Sequence, residues 1–113
     1  MAIPVDNVPL FSQEQTVETT DQPTAAATLR ILFLGDIFGE PGRKAVTELL
    51  PGLRERLNID FIIVNGENSA GGRGITPKLA ISLMRAGAAV VTTGDHIWDQ
   101  NEIVEFMATE PRL

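Results

Sequence analysis

Three short stretches hold the residues able to do chemistry: Gly35-Asp36, Asn65-Gly66-Glu67-Asn68 and Gly94-Asp95-His96. Each sets a carboxylate beside a glycine, and amide or imidazole groups join two of them. Carboxylate, amide oxygen and imidazole are the donors of Mg, Mn, Fe and Zn sites, the softer metals being favoured once a histidine takes part. Three carboxylates in a small volume repel one another unless a cation sits among them. The pattern predicts a site for one or two divalent metal ions. Two such ions bridged by a carboxylate are a standard device for in-line attack on phosphorus. The glycines let the backbone turn sharply and approach a bound group closely.

These residues can meet only if the chain delivers them to one place. ILFLG, residues 31–35, is a short apolar run of the kind shown by a parallel strand buried on both faces. DFIIVN, residues 60–65, and AAVVTT, residues 88–93, read as two more strands. Between the first two lies GRKAVTELLPGLRERLN, with Val46, Leu49, Leu50, Leu53 and Leu57 at helical spacing. Pro51 and Gly52 predict a kink there or two short helices. Thr76 and Pro77 mark the start of PKLAISLMRA, which Gly87 closes. Asp99 and Glu102 suggest a capping box for QNEIVEFMAT, stopped by Pro111. The order β-α-β-α-β-α implies a parallel sheet with right-handed crossovers. In open sheets of this kind the ligand site lies beyond the carboxyl ends of the strands, where all three stretches fall.

Composition narrows the alternatives. A chain of 113 residues with 43% apolar content makes one globular domain at most. No apolar run approaches the roughly 20 residues that span a bilayer, so no membrane contact is expected. The absence of cysteine removes disulfides and thiolate metal sites. The opening residues lack the basic start and apolar core of a signal peptide, and the cytoplasm is the expected compartment. Residues 1–29 carry Asp6, Glu14, Glu18 and Asp21 with no Lys or Arg, lack periodicity, and read as a disordered tail before a domain over 30–113. The rest holds 11 acids against 9 bases, a balance of −2, which argues against a general nucleic-acid surface.

GDIFGEPGR, FIIVNGENSAGGRGITP and TTGDHIWD together resemble the N-terminal half of a bacterial branch of the calcineurin-like metallophosphoesterases, whose members hydrolyse 2′,3′-cyclic nucleotides and related phosphodiesters. The resemblance runs over residues 30 to about 105. It implies half of an α/β sandwich and a dinuclear centre of Fe, Mn, Mg or Zn. Asp36 would bind one metal and Glu67 would bridge both. Asn68 would be a ligand, or a contact to the metal-bound oxygens, at the first metal. Asp95 would bind the second, and His96 would be the general acid. The implied partners are a small phosphodiester or cyclic nucleotide, with RNA ends and a second copy of the chain as further candidates; no substrate-binding residue is assigned. The family pattern carries Asn where this chain has Asp95, which predicts an altered pH dependence rather than loss of the site. Family members run to more than twice this length and hold several metal-binding histidines in their second half. The expectation is therefore a truncated product or fragment with one apolar sheet face left open, inactive or weakly active alone. It would otherwise bind metal or nucleotide weakly, or act by pairing with another chain.

Plainer roles exist for each residue. Asp36 could cap a turn, and Asn65 could satisfy loop backbone, the role favoured for it. His96 could pack on Trp98, itself expected in the core or a pocket wall. Arg73 could meet a substrate phosphate or stand in solvent. The common sheet edge favours the metal site over these roles. Neither GxGxxG nor a Walker loop is present, which disfavours a dinucleotide binder.

Overall fold

The computed structural model describes residues 26–113. The disordered tail expected over 1–29 lies almost wholly outside the described residues. Three strands, β1 (Ile31–Leu34), β2 (Phe61–Asn65) and β3 (Val90–Thr92), form one parallel sheet in chain order. Ile31 pairs with Phe61 and Leu34 with Val64, while Ile63 pairs with Val90 and Asn65 with Thr92. The crossovers are α1 (Gly39–Leu57) and α2 (Pro77–Ala86), which touch each other. Right-handed crossovers between strands in chain order place both helices on the same face of the sheet.

That face is the core. Ile62, Val64 and Val91 point into it and meet Val46 and Leu50 of α1, Ala80 and Leu83 of α2, and Ile75 from the loop before α2, all at most 5% exposed. Leu32 and Leu34 pack against the same cluster from β1. The alternate residues form the other face, where Ile31 and Phe33 are 53% and 58% exposed and Phe61, Ile63 and Val90 are half-buried. The strands are thus buried on one face only, correcting the two-sided burial suggested by their unbroken apolar runs. At the outer edge of β1 a groove of about 290 Å³ opens between Phe33 and Leu34 of the strand and Leu49 and Leu53 of α1.

The helices follow their local signals with two exceptions. Thr76 Oγ1 accepts the Leu79 N–H at 3.3 Å and Pro77 fills the first position of α2, while the N–H of Gly87, at φ 131°, reaches the Leu83 and Met84 carbonyls. Helix α1 is one element with Pro51 inside it, not two short helices. Pro51 forfeits one backbone bond, but burial of Val46 and Leu50 just before it anchors the helix to the core. The last helix, α3, is only Ile103–Met107, and the capping box does not form. A 3₁₀ helix, Asp95–Asp99, precedes it, and Asp99 spends its carboxylate on Arg73 at 2.9 Å. At the outer edge of β3, Val91 N–H donates to the Arg112 carbonyl at 2.8 Å. No helix among the described residues is long and apolar enough to cross a membrane.

Candidate functional site

Backbone geometry at the strand tips determines where the polar side chains go. After β1 the chain turns at Asp36, whose φ of 47° is left-handed and is borne by Asp better than by most residues. The turn buries Ile37 and directs its N–H to the Asn65 carbonyl at 3.0 Å. After β2, Gly66 donates to the Thr92 carbonyl at 2.8 Å in a slot where a Cβ would come within 2.8 Å of Ile75 Cδ1. Asn65 Nδ2 meets Thr92 Oγ1 at 3.2 Å and ties the two strand ends together.

The glycine-rich loop that follows is held by backbone bonds from several sides. Gly39 N–H donates to the Asn68 carbonyl at 2.9 Å, Gly74 N–H to the Glu67 carbonyl at 2.6 Å, and the Arg43 guanidinium to the Ser69 carbonyl at 2.5 Å. Ser69 is fully buried and bonds the Gly66 carbonyl through its hydroxyl at 2.8 Å. The far end of the loop packs on the 3₁₀ helix. A Cβ on Gly74 would lie 2.8 Å from Gln100 Cγ, and Gln100 Nε2 donates to the Arg73 carbonyl at 3.1 Å. Arg73 is 68% exposed and paired with Asp99.

On this frame Glu67, Asp95 and His96 come together, each offering one ligand atom and all of these atoms lying within 4.8 Å of one another. Glu67 and His96 are half-buried and Asp95 is exposed. Asp36 stands outside that group but is joined to it through Asn68. Asn68 Nδ2 donates to Asp36 Oδ1 at 2.7 Å, and Asn68 Oδ1 lies 2.6 Å from His96 Nδ1. A carboxylate can only accept, so the amide nitrogen faces Asp36 and the amide oxygen faces the ring. Nδ1 of His96 then carries the proton of that bond, and Nε2 has no hydrogen-bond partner among the described residues. The 3.9 Å from His96 Nδ1 to Glu67 Oε1 is too long for a second bond. Gly94, at φ 65° and ψ −159°, lies so close to Glu67 that a Cβ there would overlap the carboxylate.

Two carboxylates, an imidazole and a neighbouring amide-linked carboxylate at this spacing form a donor set suited to a divalent cation. Sequence reasoning missed three supports of the cluster: Arg43, Asp99 and the contact at Gly94. Arg43 and Asp99 lie inside the GDIFGEPGR and TTGDHIWD stretches, so membership of those motifs was their one available signal.

Parallel strands thus carry a carboxylate-histidine cluster at their carboxyl ends. The chain belongs to the YmdB-like protein family, whose model matches residues 32–113. It is 46% identical over 85 residues to the 2′,3′-cyclic-nucleotide 2′-phosphodiesterase of Bacillus subtilis (strain 168), a match covering 75% of this chain and 32% of that protein. A hypothetical protein from Thermus thermophilus superposes with a TM-score of 0.68 at 41% identity, over 74% of this chain and 32% of the other. A novel phosphatase from Mycoplasma pneumoniae gives a TM-score of 0.71 at 32% identity, over 75% and 30%. The chain thus spans about a third of the length of these relatives.

Proposed function

We propose that this chain provides the strand-tip metal site of a phosphodiester hydrolase acting on 2′,3′-cyclic nucleotides or related phosphodiesters. The observation that carries the reading is the gathering of Glu67, Asp95 and His96 ligand atoms within 4.8 Å. Asp36 and Asn68 would hold one divalent ion, Asp95 a second, and Glu67 would lie between them. When bound, such ions supply Lewis acidity toward phosphoryl oxygens and a strong nucleophile at neutral pH. The chain's own contribution is to place and orient. Asn68 fixes the His96 ring through Nδ1, which leaves Nε2, once it too has taken up a proton, to pass that proton to the departing ribose oxygen. The same amide bonds Asp36 Oδ1 and leaves Oδ2 as that residue's uncommitted oxygen.

Titration of the full chain with Mn²⁺ by calorimetry, alongside hydrolysis of 2′,3′-cyclic AMP, tests this. Saturable Mn²⁺ binding that Glu67→Gln weakens by about tenfold or more is the expected result. A chain that keeps its fold but takes up no Mn²⁺ would defeat the reading.

A second reading rests on the exposed Ile31 and Phe33 and on a relative of which the match covers only 32%. In it the open sheet face docks another polypeptide, and the chain works only as part of that pair. Sedimentation that shows a strict monomer at all concentrations, with full hydrolytic activity, would remove it.

A further inference from the structure

Trp98 is 63% exposed, although tryptophan is the side chain whose exposure leaves the most apolar area in water. It sits in the 3₁₀ helix Asp95–Asp99, where residues three apart eclipse, so the indole stands one turn above Asp95 on the same side. The other positions of that turn are committed. Ile97 is buried, His96 is held by Asn68, and Asp99 is held by Arg73. Gln100 pins the end of the turn to the loop through the Arg73 carbonyl. The backbone carrying the indole is therefore fixed at both ends, and presenting the ring to a ligand costs little ordering entropy. Phe38, the other exposed aromatic beside the cluster, already covers Gly72, its ring within 2.8 Å of where a Cβ would be. Trp98 has the exposed ring on the Asp95 side of the cluster.

Building on the phosphodiesterase reading, we propose that Trp98 is a specificity residue that stacks on the nucleobase of a nucleotide whose phosphate is held at the Glu67–Asp95–His96 cluster. Such stacking accepts any base, since every base has a π-face, and it separates nucleotides from phosphodiesters that lack a base. Asp95 then serves the phosphate end and Trp98 the base end of one ligand.

Trp98 is the sole tryptophan and the chain has no tyrosine, so intrinsic emission reports this ring directly. The full chain in Mn²⁺ would be titrated with adenosine 3′-monophosphate and with ribose 5-phosphate, following fluorescence and, in parallel, calorimetry. Saturable quenching by the nucleotide alone is expected, with about tenfold or greater loss of nucleotide affinity in Trp98→Leu, most of it restored in Trp98→Phe, and ribose phosphate affinity unchanged. Equal affinity for the two probes, or nucleotide binding indifferent to Trp98→Leu, overturns the stacking role and leaves the phosphate site standing. Failure of both probes to bind overturns the stacking role together with the phosphodiesterase reading.

Discussion

The carboxyl edge of the sheet and its open face are built on opposite principles. At the edge, bare backbone meets side chains: glycines at 66, 74 and 94 sit where a Cβ would strike Ile75, Gln100 or Glu67, and the loop is bonded to α1, β3 and the 3₁₀ helix. On the open face, Ile31 and Phe33 stand more than half exposed with no such fixing. Order here follows interlocking rather than hydrophobicity. The open apolar surface has nothing packed over its side chains, whereas the polar edge is closed by contacts and hydrogen bonds.

Mutation should make that contrast measurable. The largest effect belongs to the core that both regions lean on: Leu50→Ala, at a site 1% exposed, should cost about 2–5 kcal/mol in urea unfolding. Next comes the edge. Gly94→Ala forces a left-handed backbone on a residue whose Cβ meets Glu67, which should cost about 1–3 kcal/mol and weaken Mn²⁺ binding by up to about a hundredfold. On the open face, Phe33→Ser should change monomer stability by no more than about 0.5 kcal/mol while lowering any self-association seen by sedimentation. A loss of several kcal/mol there would erase the contrast, because it would mean that the face is already packed.

The smallest effect concerns the far edge of β3. Hydrogen bonding from the Arg112 guanidinium holds the Glu110 carboxyl below the usual carboxylate range. A depressed carboxyl stabilises the fold above its unfolded pKa, about 4.3, and loses that contribution as pH falls through the folded value. Glu110→Gln should therefore lower Tm slightly at pH 7, and the gap from the parent should close in acid. A gap that persists at low pH would assign the effect to something other than charge.

Much of this was legible in the sequence, for identifiable reasons. The alternation of elements and the cap of α2 are written in local patterns, with Thr76-Pro77 and Gly87 each acting within one turn. The strand tips were legible because the donor residues follow apolar runs directly. Pro51 misled because a local helix breaker was outweighed by the burial of Val46 and Leu50, which only the tertiary structure supplies. Asp99 misled because its two candidate partners, its own helix terminus and Arg73, differ only in three dimensions. Of the two places expected for Trp98, the core or a pocket wall, the core is excluded, since the 3₁₀ turn gives the buried position to Ile97.

The chain-order sheet carries one more consequence. Ile31 pairs with Phe61 and Ile63 with Val90, so each ladder closes across a crossover of about 30 residues. Parallel pairing across a helical crossover is non-local and slow to form, and folding during synthesis proceeds from the N-terminus. Each strand pairs with one already synthesised, so the polar edge is assembled from consecutive strands alone.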